Sequence, residues 1–394
     1  MEYNFSDNVK ALKPSAIREI LKLSSTPGMI PFSAGNPAPE AFPFEEIEKI
    51  SKEILENEAI SALQYSVTEG YAPLCSAIKE YLNKKYGLVR EGEELIVTSG
   101  AQQAITLSAM VLCNKGDYLA AEDPSFIGSL NAFRAYGINL VGVKTESDGV
   151  DLVALEDAFK NKKVKVFYTI PNFQNPSGIT MSLEKRKAVL ALAQKYNVVI
   201  IEDDPYGELR FKGEFLPSIK SFDTTGQVIY VGSFSKVISP GMRVGYCLAN
   251  AELIKKITVC KQTADVHTNI WAQMVAHKFL TEYDFEGHLN KIREIYRKKA
   301  ELMMELCDKH LAPIITYQKV EGGLFLWCKL PDNVKMTDFC KYAVTNGVAT
   351  VPGTAFLCDT EADTQYFRIN YSTPTDEQII SGVEKLGKFI KEFI

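Results

Sequence analysis

Residues 93–122 read EELIVTSGAQQAITLSAMVLCNKGDYLAAE, and this stretch decides the fold. EELIVTS is a short β-branched and apolar run, which predicts a buried strand. AQQAITLSAMVL spaces its apolar residues as a helix does, and DYLAAE is a second strand-like run. A helix between two short strands is the crossover that parallel pairing requires. The same alternation continues outward through FIGSLNAFRAY (126–136), INLVGVKT (138–145), DLVALEDAFK (151–160), KVKVFYTI (163–170) and SLEKRKAVLALAQKY (182–196). VVIIED (198–203), QVIYVGS (227–233) and RVGYCLA (243–249) complete the series. The expectation is an α/β domain whose mostly parallel, seven-stranded sheet lies between layers of helices. Ligands bind such sheets at the carboxyl ends of the strands, so the chemistry belongs just after them.

The 394 residues exceed what a single core usually organises. A long amphipathic pattern from Asp284 to Leu311 connects this domain to ITYQKVEGGLFLWCKL (315–330), YFRINYS (366–372) and a terminal helix from Thr375, a smaller α+β unit. The predicted division is an N-terminal arm with a short helix (1–45), a large domain (46–285) and a small domain (286–394). The net charge of −5 gives no reason to expect nucleic acid as a partner. Basic clusters such as Arg297, Lys298 and Lys299 read as an exposed helix face. The N-terminus has no apolar signal segment, and the longest apolar stretch, Ala104 to Cys113, is too short to span a bilayer. Eight scattered cysteines without a C-x-x-C pair read as buried reduced thiols. Four histidines at no ligand spacing predict no metal site. A cytoplasmic protein without membrane partners is expected.

The chemistry-bearing segments follow the strands. SFSKVISPGMR (233–243) sets Lys236 among Ser233, Ser235 and Arg243, hydroxyl and guanidinium donors suited to a phosphate. A neighbouring cation also favours the neutral amine that attacks a carbonyl. Alone, Lys236 reads better as a solvated surface lysine, and its surroundings reverse that reading. TSGAQQ (98–103) places a helix start where free N–H groups can cradle an anion, or where Ser99 merely caps the helix. VVIIEDDPYG (198–207) ends a strand on carboxylates. Asp203 can hold a pyridine nitrogen protonated and Tyr206 can donate to a ring oxygen, or the acids can cap a helix. PNFQNPSG (171–178) brings Asn175 or is simply a turn. Arg368, in apolar YFRINYS, matches a carboxylate in two parallel bonds, whether from a ligand or from a structural ion pair.

Taken in order, SGAQQA, EDPSF, PNFQNPSG, EDDPYGEL, SFSKVISPGMRVG and FRINYS resemble one family: the class I aminotransferases of pyridoxal phosphate fold type I. SAIREIL, SAGNPAPEAFP and LQYSVTEGYAPL look most like its 2-aminoadipate and kynurenine aminotransferase subgroup. The resemblance implies a pyridoxal 5'-phosphate cofactor held by Lys236 as a Schiff base. It implies a proton shuttle by Lys236, a pyridine-nitrogen partner in Asp203, and Tyr206 and Asn175 on the phenolic oxygen. Phe126, where the family more often has tyrosine, stacks on the ring. Gly100, Ala101, Gln102, Ser233, Ser235 and Arg243 form the phosphate cup, and Tyr65 reaches it from the neighbouring subunit of a homodimer. Arg368 binds the substrate α-carboxylate, Gly35 lies in the loop over the substrate, and Arg18 meets a distal carboxylate or is solvated. Ala34 stands where the subgroup often has a second glycine.

The reaction implied is ping-pong transfer of an amino group from an α-amino acid (2-aminoadipate, aromatic or aliphatic) to a 2-oxo acid, with 2-oxoglutarate as one partner. The same scaffold supports a C–S β-lyase. A ligand-sensing regulator domain is a distant alternative, because the pattern is under way by residue 15 and leaves no room for a winged helix-turn-helix ahead of it.

Overall fold

The computed structural model describes residue 1, residues 3–6, residue 9 and residues 28–394. Its strands are β1 (Glu93–Thr98), β2 (Tyr118–Asp123), β3 (Asn139–Glu146), β4 (Gly149–Val150), β5 (Val166–Thr169), β6 (Val199–Asp203), β7 (Val228–Ser233) and β8 (Gly245–Asn250). They form one sheet in the order β1-β8-β7-β6-β5-β2-β3-β4. This is one strand more than expected: β4 is a two-residue hairpin arm on the end of β3, Thr145 opposite Val150, too short to carry a pattern. The pairs β2/β3, β2/β5, β5/β6 and β6/β7 are parallel. Because β8 runs antiparallel to both β7 and β1, the strands β1 and β7 point the same way. The carboxyl ends of β1, β2, β3, β5, β6 and β7 therefore share one edge, where β8 begins.

Central strands β5 and β7 are covered on both faces, which is why VFYT and VIYVGS lack polar alternation. The helices of this part of the chain include α1 (Phe44–Asn57), α2 (Ala59–Leu63), α3 (Ala72–Tyr86), α4 (Ala101–Leu112), α5 (Ile127–Ala135), α6 (Leu152–Lys162), α7 (Leu183–Tyr196), α8 (Ala251–Ala264) and α9 (Ile270–Glu282). Asp151 and Ser182 cap α6 and α7 through their side chains. Inside, the fully buried Lys220 pairs with Glu93 and donates to the Val228 carbonyl at 2.8 Å.

Helix α10 (Phe285–His310) runs from the N-cap Asp284 and buries Leu289, Ile292, Tyr296, Ala300, Met303 and Cys307 at helical spacing. It packs on α12 (Asp376–Ile390), which opens with a capping box between Thr375 and Gln378. Lys299 departs from the expected exposed face. It is buried, because its amine reaches the Pro374 carbonyl at 2.7 Å and Glu40 at 3.2 Å. A second sheet, ordered β11-β12-β10-β9, comprises β9 (Thr316–Tyr317), β10 (Phe325–Lys329), β11 (Val351–Pro352) and β12 (Tyr366–Asn370), with helix α11 (Met336–Thr345) alongside. The incoming chain joins it: Ile30 bridges Val348, and Asn370 donates to the Phe32 carbonyl at 2.8 Å. Cys247, Cys307, Cys328 and Cys340 are buried thiols, whereas Cys75, Cys113, Cys260 and Cys358 are half-buried, and none is paired. No described helix is long and apolar enough to cross a membrane.

Candidate active site

A cavity of about 470 Å³ opens at the strand edge and reaches the second sheet. That volume suits a small-molecule site. Each wall follows from the topology. Ala101 and Gln102 begin the helix after β1, Phe126 follows β2, and Asn175 lies in the loop after β5. Asp203 ends β6 and Tyr206 follows it, Ser233 ends β7, and Ser235 and Lys236 turn back toward Arg243 ahead of β8. Gly35 and Arg368 close the far side, from the N-terminal loop and β12. All these residues, named in advance from the sequence, line the same cavity.

The Lys236 amine donates to the Gly35 carbonyl at 2.6 Å. Burial pulls its pKa down to about 8, with repulsion from the Arg368 and Arg243 guanidinium groups adding to the effect. Asp203 is buried, and burial pushes its carboxyl up to about 7 against a hydrogen bond from the Tyr168 hydroxyl to Oδ2 at 2.7 Å. Its Oδ1 has no hydrogen-bond partner among the described residues. Burial raises Tyr206, while Arg368 and a hydrogen bond with Asn175 oppose the rise.

Arg368 is held by oxygen acceptors on two sides. Nη1 donates to Asn175 Oδ1 at 2.8 Å, and Nη2 to the carbonyls of Ser33 at 2.8 Å and Ala34 at 3.3 Å. Its Nε is buried without a partner, and no described Asp or Glu pairs with it. Its Cζ lies 4.2 Å from the Phe325 ring centre and 5.1 Å from that of Phe356. Among the described residues this is a buried cation without a counter-ion, not a structural ion pair.

The phosphate-cup expectation gains an unforeseen detail. Gly100 has φ +79°, and a Cβ there would fall 2.2 Å from Arg243 Nη2, so only glycine lets the guanidinium lie against the helix start. Ser99 is not the cap: Gly100 occupies that position, and Ser99 Oγ instead donates to Asp265 at 2.6 Å. Tyr65 lies apart from the cavity, 82% exposed, its ring edge-on to His267. Ile60, Leu63 and Val67 are exposed beside it in sequence. Arg18 lies outside the described residues, as does the short helix expected around it. Sequence reasoning missed Asn36, Ile127 and Phe325 on the wall, and Tyr168 behind Asp203. Asn36 sat inside the quoted loop, but nothing in one sequence separates a lining apolar residue from a core one.

Pyridoxal phosphate fits these residues. The unpartnered Asp203 oxygen could accept from a protonated ring nitrogen, the α4 start with Ser233, Ser235 and Arg243 could donate to a phosphate, and Lys236 could supply the amine.

Comparison with known proteins agrees. The family pattern "Aminotransferase class I and II" matches residues 27–386. Aromatic-amino-acid aminotransferase 1 of Thermococcus litoralis is 38% identical over 99% of this chain and 95% of its own. A crystal structure of Pyrococcus horikoshii kynurenine aminotransferase, in complex with PMP, is similar at 37% identity with a TM-score of 0.95, covering 98% of this chain and 97% of that one. The α-aminoadipate aminotransferase of Thermus thermophilus, complexed with N-(5'-phosphopyridoxyl)-L-leucine, is similar at 37% identity and a TM-score of 0.92, covering 99% and 97%.

Proposed function

Given that this chain belongs to the class I and II aminotransferases, which use pyridoxal 5'-phosphate, we propose that it transfers amino groups from 2-aminoadipate, aromatic or aliphatic amino acids to 2-oxoglutarate by a ping-pong mechanism. The observation that carries the reading is one cavity walled by the Lys236 amine, by Asp203 with an oxygen that has no partner among the described residues, and by an Arg368 guanidinium without a counter-ion among them. The bound cofactor supplies a carbonyl carbon for amino groups and an electron-withdrawing ring. Arg368 and Asn175 bind the α-carboxylate, which fixes the Cα hydrogen toward Lys236. Lys236 holds the cofactor at rest and, once released, moves the proton at Cα; an amine at about 8 is neutral often enough to do so near neutral pH.

Asp203 keeps the ring nitrogen protonated, Tyr206 and Asn175 hold the ring oxygen, and Phe126 stacks on the ring. Gly100, Ala101, Gln102, Ser233, Ser235 and Arg243 hold the phosphate. Gly35 belongs to the loop over the substrate, and Arg18 is assigned to acidic side chains. Tyr65 serves the neighbouring subunit of a homodimer, a role supported by its exposure amid apolar neighbours. The division into an arm (1–45), a large domain (46–285) and a small domain (286–394) is supported by the two separate sheets.

A panel of amino donors with 2-oxoglutarate, compared by kcat/KM, tests the proposal. Transfer from 2-aminoadipate and from aromatic donors is expected. Pyruvate release from cystathionine without any 2-oxo acid, in place of transfer, marks the β-lyase instead.

A further inference from the structure

Asp203 lines the cavity, and only one of its two carboxylate oxygens has a partner among the described residues. Oδ2 accepts the Tyr168 hydroxyl at 2.7 Å, and Tyr168 is fully buried on β5. Behind Tyr168, the hydroxyl of the fully buried Ser129 on α5 donates to the phenol oxygen at 2.9 Å. That bond leaves the phenol's own proton committed to Asp203. Phe133 packs edge-on against the Tyr168 ring, with centroids 5.5 Å apart. Oδ1 is left as the one buried carboxylate oxygen of this group without a partner among the described residues. The other titratable groups acting on the pair are Asp204 and Tyr206.

We propose that Tyr168 is a positioning residue for the cofactor: with its proton aimed by Ser129, it occupies Oδ2, keeps Asp203 ionised, and leaves Oδ1 alone to face the pyridine nitrogen. The proposal rests on the assignment of Asp203 as the partner of that nitrogen. A hydrogen bond from a neutral phenol to a carboxylate stabilises the charged form, so its loss makes Asp203 more basic. The shared proton then moves from the ring toward the carboxylate. The ring carries less positive charge, and a lysine-linked proton on the cofactor is held to higher pH.

The test uses the full-length protein reconstituted with pyridoxal 5'-phosphate, comparing wild type with Tyr168→Phe, Ser129→Ala, Asp203→Asn and Tyr168→Phe/Asp203→Asn. Two readouts other than activity are taken: the dissociation constant for the cofactor and the pH midpoint of its visible absorption band. Tyr168→Phe is expected to weaken binding by roughly tenfold, the order of one charged hydrogen bond, and to move the midpoint upward. Ser129→Ala should move it the same way by less. In the Asp203→Asn background, Tyr168→Phe should change neither readout, since no carboxylate remains to be tuned; a merely structural hydroxyl would act in both backgrounds. Wild-type binding and midpoint in Tyr168→Phe, while Asp203→Asn is impaired, overturn the proposal alone. Wild-type behaviour of Asp203→Asn overturns the assignment of Asp203 and the proposal with it.

Discussion

Arg368 Nη1 and Asn175 Oδ1 are joined by a hydrogen bond of 2.8 Å between residues 193 positions apart, one on β12 and the other in the loop after β5. The bond aims the guanidinium across the cavity and leaves its Nε buried without a partner among the described residues. Burial lowers its pKa to about 10, and a carboxylate would supply the counter-charge it lacks among the described residues. Arg368→Ala is expected to cut kcat/KM by roughly 30-fold to several thousandfold, the range for removing one member of a buried charge pair. The loss should be the same for 2-aminoadipate and for phenylalanine, because both present the same α-carboxylate. Steady-state kinetics with the two donors checks this. Arg368→Lys should recover little, since an ammonium cannot reproduce the planar fork.

The amine of Lys236 sets a pH dependence. Below its pKa of about 8 it is an ammonium without a free electron pair; above that it is neutral and attacks the carbonyl. The rate at which apoprotein takes up pyridoxal phosphate should therefore climb with pH and level off near 8, measured by stopped-flow absorbance. A rate still climbing past about pH 10, the range of an ordinary lysine, contradicts the proposed environment.

Gly323 carries a stability prediction. Its φ is +75°, and an added Cβ would lie 2.5 Å from the Phe173 Cβ, itself on a residue with φ +47°. Neither backbone has room to yield, so Gly323→Ala should lower stability by about 1–3 kcal/mol. Thermal and denaturant unfolding of the apoprotein read the change. Gly116→Ala, whose Cβ would meet nothing within 4 Å although its φ is +90°, serves as the comparison for backbone strain alone.

Tyr65 predicts complementation. Tyr65→Ala and Lys236→Ala homodimers should each be impaired. Mixed dimers contain one site with both residues intact, so random reassociation should restore activity to about a quarter of wild type. No recovery on mixing would remove Tyr65 from the neighbouring site.

Much of this was legible in the sequence, and the reasons are physical. Helix α4 and strand β6 were readable almost to the residue because buried parallel strands are short apolar runs between helices. Phe126, Asn175, Asp203 and Ser233 could be placed on one cavity wall because each ends or follows a strand whose carboxyl end lies on one edge. Strand β4 was not, since two residues carry no period. The buried Lys299 was misread because its partners, the Pro374 carbonyl and Glu40, are distant in sequence. Tyr168 escaped for a similar reason: in KVKVFYTI it is one more apolar-bodied strand residue, and only its approach to Asp203 gives the hydroxyl a task. Ser99 looked like a cap, and its diversion to Asp265 depends on the end of α8, 166 residues away.

The measurement closest to the central claim is reductive trapping. Protein incubated with pyridoxal 5'-phosphate, treated with borohydride, digested and mapped by mass spectrometry should carry one phosphopyridoxyl group, on the peptide containing Lys236. Lys236→Ala should carry none there and lose the visible absorption band. A colourless wild-type protein whose Lys236 peptide stays unmodified contradicts the account.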